Sequence, residues 1–126
     1  NFSDERLFEI EKRLQSNWSE ICKMENKNGF QTINILQPIL GTSDRILSDS
    51  EKYSENSKNE YIISFKLDEK KYYPCEKIFD LRNSFKEMNE VPIYFDDGHM
   101  SDFGNNIVAE KIYEKILPIV SNDIKK

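Results

Sequence analysis

Only two segments of this chain carry a clear strand pattern, and that scarcity constrains its fold more than any other feature. Phe30 to Leu36 alternates and holds enough β-branched side chains for a strand, which Pro38 terminates. Lys77 to Leu81 is a second, shorter run, and Val91 to Phe95 reads as extended. Ahead of the first strand, Leu7, Ile10, Leu14, Trp18 and Ile21 recur at three- and four-residue steps, giving a helix with one apolar face. Ser3 or Asp4 can cap it, and Gly29 is placed as its left-handed stop. Ser48-x-x-Glu51 is a capping box that opens a second helical region. Helix is expected to resume from Glu60 to about Lys71, where Tyr73-Pro74 breaks it, and a brief turn or helix to follow around Asn83 to Met88. Asp102 is expected to cap a last helix through about Val120, with Val108, Ile112, Ile116 and Val120 on one face.

This order is the rhythm of an α/β layered domain, and the helical crossover predicts parallel pairing of the two strands. Two strands make a poor sheet, because a parallel sheet covered on both faces needs more. Residues 1–126 therefore read as the carboxyl-terminal portion of a single larger domain. The chain opens without Met and close to a helix, so upstream polypeptide is expected, and any targeting segment would lie there.

Composition narrows the function classes. One third of the residues are charged, yet eight Phe, six Tyr and one Trp argue against disorder. The net charge is −5 and the longest basic cluster is Lys125-Lys126, which disfavours nucleic acid as a main ligand. No apolar run approaches the roughly 20 residues of a membrane span. Cys22 and Cys75 match no metal or redox spacing and are expected as free thiols in or near a core. With one histidine, they leave no ligand set for zinc, and no cofactor is expected. Asn17-Trp18-Ser19 fits the glycosylation sequon but falls in the middle of the first helix.

The one histidine, His99, stands in Tyr94-Phe95-Asp96-Asp97-Gly98-His99-Met100-Ser101, just before the last helix. Histidine is the default proton carrier near neutral pH. A carboxylate three positions earlier, across a glycine turn, can accept a hydrogen bond from one ring nitrogen and leave the other free to work on a nucleophile. A plain surface turn that happens to carry a histidine is the other reading of the same residues.

The segment Ile93 to Asn105, running into Ile107-Val108-Ala109-Glu110-Lys111-Ile112, resembles the last conserved block of the SGNH (GDSL-type) hydrolases: Asp-x-x-His, a small polar residue, a Gly at the start of the closing helix, and an apolar-Ala-apolar pattern within it. Ile33-Asn34-Ile35-Leu36-Gln37-Pro38 is similar to the family's strand ending in Leu-Gln-Pro, and Ile78-Phe79-Asp80-Leu81 to a recurrent short strand. The resemblance implies a three-layer, flavodoxin-like parallel-sheet fold of which this chain is the carboxyl-terminal part. It also implies an ester hydrolase acting on a small-molecule or carbohydrate acyl ester, such as an acetylated sugar, without a cofactor. Asp96 and His99 then take the places of the acid and base in a Ser-His-Asp triad. The family's three-residue spacing selects Asp96 over Asp97, which reads as a solvated turn residue.

The departure from the family is equally informative. Its Gly-Asp-Ser nucleophile block, oxyanion glycine and Gly-x-Asn-Asp block are absent from these residues. Gly41-Thr42-Ser43-Asp44 offers the nearest serine, but it follows a different strand and reads as loop. Gly98 is expected to let the chain turn tightly, Gly104 to permit close packing, and Asn105 to support the helix start. Gln37 ends a strand at the edge where ligands collect in open α/β sheets. A noncatalytic SGNH-like scaffold or interaction module is the alternative function.

Overall fold

The computed structural model describes residues 4–53 and 77–123. They divide into two units, the first holding residues 4–37 and 77–80, the second 38–53 and 81–123. The helix expected over Glu60 to Lys71 and the break at Tyr73-Pro74 lie outside the described residues.

In the first unit, helix α1 runs over Asp4–Asn28. Ile10, Leu14 and Trp18 are half-buried, and the stripe continues to Cys22, which is 2% exposed. Ile21, expected on that face, is 40% exposed. The i, i+4 steps carry the buried row onto Cys22, one position further along. Cys22 is disulfide-bonded, which corrects the free-thiol expectation for it; Cys75 lies outside the described residues. The helix stops as read. Gly29 sits at φ +72°, where an L side chain is strained, and its N–H reaches the Glu25 carbonyl at 3.0 Å.

Strand β1 (Asn34–Leu36) pairs in parallel with β2 (Ile78–Asp80), in the register Asn34 to Ile78, Ile35 to Phe79 and Leu36 to Asp80. The parallel pairing agrees with the crossover argument. Both strands are shorter than their sequence patterns. Before Asn34 the segment bonds through side chains instead: the Thr32 hydroxyl donates to Glu25 at 2.5 Å, and Lys77 donates to Gln31. After Leu36, Pro38 removes the next ladder donor.

The second unit packs around Phe85 and Ile93, both fully buried, with Ile39, Leu40, Leu47, Leu81, Tyr94 and Val108 around them. Helix α2 is a single turn, Asp49–Lys52. Leu81 to Met88 winds through successive turns, closed by Ser84 N–H to the Leu81 carbonyl and Met88 N–H to the Phe85 carbonyl, both at 2.9 Å. Helix α3 covers Asp102–Asp123. Its cap is Ser101 rather than the expected Asp102. Ser101 Oγ accepts from Gly104 N–H at 3.3 Å and the Ser101 carbonyl from Asn105 N–H at 2.9 Å. Asp102 is left in the first turn, where its charge suits the helix dipole. Val108, Ile112 and Ile116 keep the inward face, whereas Val120 is 48% exposed. No helix among the described residues is long and apolar enough to cross a membrane.

Candidate active site

Ile93 to Phe95 of the extended segment and His99 to Ser101, just before α3, enclose a tight hairpin. Tyr94 bridges antiparallel to Met100, Ser101 N–H donates to the Ile93 carbonyl at 2.7 Å, and Phe95 N–H to the His99 carbonyl at 2.9 Å. Asp96 and His99 lie on the tip. His99 Nδ1 stands 2.7 Å from Asp96 Oδ2 and 2.9 Å from Oδ1. Asp96 Oδ1 also accepts the backbone N–H of Gly98 at 2.9 Å and of His99 at 2.8 Å.

These contacts decide the charge state of Asp96. The Gly98 N–H, then the His99 N–H, then the His99 ring hold the Asp96 carboxyl down to about 2. Asp96 is thus ionised at neutral pH and accepts the Nδ1 proton. In the neutral form of the ring this places the lone pair on Nε2, the atom a base would use. No hydrogen bond reaches Nε2 from the described residues. The pair is open to water, with the His99 side chain 84% exposed and that of Asp96 56%. Phe95, paired with His99 across the hairpin, is 76% exposed.

The other residues singled out from sequence fall as follows. Asp97 contributes its carbonyl, which accepts from Leu40 N–H at 3.0 Å and ties the 38–43 loop to the hairpin. Gly98 does not adopt a positive φ; among the described glycines only Gly29 and Gly41 do. It contributes its backbone N–H to Asp96 Oδ1 instead. Gly104 is a close-approach glycine: a Cβ there would stand 2.8 Å from Ile93 Cγ2 and 3.2 Å from the Ile93 carbonyl oxygen. Asn105 Nδ2 donates to the Met100 carbonyl at 3.3 Å, supporting the helix start. Ser43 lies in the loop after Gly41, its hydroxyl buried and without a hydrogen-bond partner among the described residues. Gln37 is exposed just past β1 and belongs to the first unit, not to that of His99.

A cavity of about 480 Å³ in the second unit is lined by Ser84, Met88, Ile107 and Glu110 among others, and includes neither Asp96 nor His99. No three His, Cys, Asp or Glu side chains converge as a metal-binding set among the described residues.

Sequence reasoning treated Glu51 as a helix-capping residue alone. Its side chain is fully buried against Arg45, at 2.5 Å, and it also accepts the backbone N–H groups of Ile93 and Tyr94. The only sequence signal was the capping box, which accounts for one of its two oxygens.

Comparison with protein-family models, with curated proteins and with solved structures finds no match to this chain.

Proposed function

We propose that this chain supplies the acid and base of a serine ester hydrolase of the SGNH type, as the carboxyl-terminal part of a three-layer α/β domain. The observation that carries the reading is the Asp96–His99 contact at 2.7 Å through Nδ1, which leaves Nε2 without a hydrogen bond from the described residues. His99 acts as base toward a serine hydroxyl and then as acid toward the leaving alcohol. Asp96 holds the tautomer and stabilises the imidazolium without taking the proton. The substrate class is a small-molecule or carbohydrate acyl ester, and the charge of −5 disfavours nucleic acid as a main ligand.

The exposure of the pair bears on where the rest of the site lies. A base and its carboxylate in open water gain little from each other. Catalysis needs donors preorganised around the developing oxyanion in a dry setting. We therefore take the serine, the oxyanion donors and the walls of the site to lie outside the described residues. A noncatalytic scaffold is favoured by one specific observation: Asp96 Oδ1 already accepts two backbone N–H groups, a task that shapes the turn whether or not His99 is used.

The test is a chromogenic short-chain ester assay on the complete gene product, on its His99→Ala and Asp96→Ala forms, and on the 126-residue chain alone. The complete product is expected to turn over and His99→Ala to abolish it, while the chain alone stays at background. An active product indifferent to His99→Ala removes the catalytic reading. Turnover by the isolated chain that vanishes on Ser43→Ala would move the nucleophile to Ser43.

A further inference from the structure

We infer that Glu51 is the positioning residue of the Asp96–His99 pair, a single buried carboxylate that caps α2 with one oxygen and clamps the hairpin base with the other. The inference rests on the reading of that pair as base and orienting acid. Oε2 accepts from Ser48 N–H at 2.9 Å and from the Ser48 hydroxyl at 2.8 Å, which completes the helix-capping task. Oε1 does something a cap does not require. It accepts two successive backbone N–H groups, Ile93 at 2.9 Å and Tyr94 at 3.0 Å, together with Arg45 Nη2.

Arg45 extends the clamp. Its Nη1 donates to the carbonyls of Met88 and Val91, both at 3.2 Å, and its guanidinium carbon lies 6.0 Å from the centre of the Tyr94 ring. The two side chains are 1% and 0% exposed. An ion pair this deep is weak grounds for stability, because desolvation offsets most of its attraction. Burial pushes the Glu51 carboxyl up. The Arg45 guanidinium, the Ser48 N–H and hydroxyl, and the Ile93 N–H outweigh it and hold the group below its ordinary range. It stays charged because every donor around it points at it.

No hinge separates the clamp from the pair. Tyr94, held by Glu51, bridges to Met100; Ile93 is tied to Ser101 and Phe95 to His99; Asp96 closes the turn onto Gly98 and His99. Releasing Ile93–Tyr94 frees the arm that leads into Asp96 from its buried anchor, and the turn that sets Asp96 against His99 loses its fixed base. A neutral amide at position 51 has one acceptor and one donor end, so it can serve the cap or the clamp but not both.

Because His99 is the only histidine, its ring nitrogens give unambiguous NMR signals in the ¹⁵N-labelled 126-residue chain. In the wild type well above neutral pH, the Nδ1–H tautomer is expected to dominate. Glu51→Gln is expected to lose that preference and move toward the free-imidazole mixture, while the β1 amide signals stay in place. Ser48→Ala, which spares Oε1, should leave the tautomer unchanged. Should Glu51→Gln fail to fold, Arg45→Lys keeps the charge but loses the reach to Met88 and Val91, and is expected to show a partial loss. A folded Glu51→Gln or Arg45→Lys with the wild-type tautomer overturns the inference. Esterase failure of the complete product would instead count against the proposed function, since the tautomer readout needs no turnover.

Discussion

Replacing Gly104 with Ala is expected to destabilise the chain, although the same change in an open helix is favourable by about 1 kcal/mol. The new methyl would sit 2.8 Å from Ile93 Cγ2, 3.2 Å from the Ile93 carbonyl oxygen and 3.2 Å from Met100 Cβ. None of these is the loose end of a flexible side chain. Ile93 is fully buried and β-branched, and its backbone is pinned by Glu51 on one side and Ser101 on the other. Forcing an extra methyl into such packing costs about 1–3 kcal/mol. The helix gain offsets part of that, leaving a net loss of about 1 kcal/mol, or a few degrees in Tm for a chain of this size. Thermal and urea unfolding of the chain measure it. In an Ile93→Ala background the closest contact is gone, and Gly104→Ala should become neutral or stabilising. A rise in Tm on Gly104→Ala in the wild type, or the same effect in both backgrounds, would refute the steric account.

Asp96 gives a pH prediction. With its folded value held at about 2, below the ordinary 3.8, its contribution to stability is present above the ordinary value and is lost as pH falls toward about 2. Carboxyl ¹³C titration of the folded chain should show that midpoint. His99→Ala should raise it only in part, because the Gly98 and His99 backbone N–H groups remain; a full return to 3.8 would mean that the ring alone is responsible. Arg45→Met leaves the Glu51 carboxylate buried without its cation and should cost about 3–5 kcal/mol in urea unfolding. A loss under about 1 kcal/mol would show that the pair is dispensable. Gly29→Ala should cost about 1 kcal/mol through backbone strain alone, since nothing stands within 4 Å of the added Cβ, and Gly29→Asn should cost less.

What could be read from the sequence was local. Helix α1 and its stop at Gly29 follow from apolar spacing and from a residue that tolerates positive φ, both written within a few positions. The parallel pairing of β1 and β2 followed from a crossover rule that depends only on element order. The Asp96–His99 pairing was legible because both partners sit within one turn, three residues apart, whereas the Glu51 clamp beneath them was not. Even here the neighbouring detail slipped: Ser101 took the cap from Asp102, since the hairpin sets where the backbone enters α3.

The tertiary structure decided the rest. The shift of the buried row on α1 from Ile21 to Cys22, and the disulfide at Cys22, depend on contacts that spacing along one helix does not encode. Glu51 is the clearest case. Its place in Ser48-x-x-Glu51 specifies a cap, and a cap uses one oxygen. The other oxygen bonds to backbone N–H groups 42 and 43 residues away, in a segment whose own sequence carries no mark of the partner. Every non-proline residue presents the same N–H, so which buried acceptor meets it is settled only when the chain has packed.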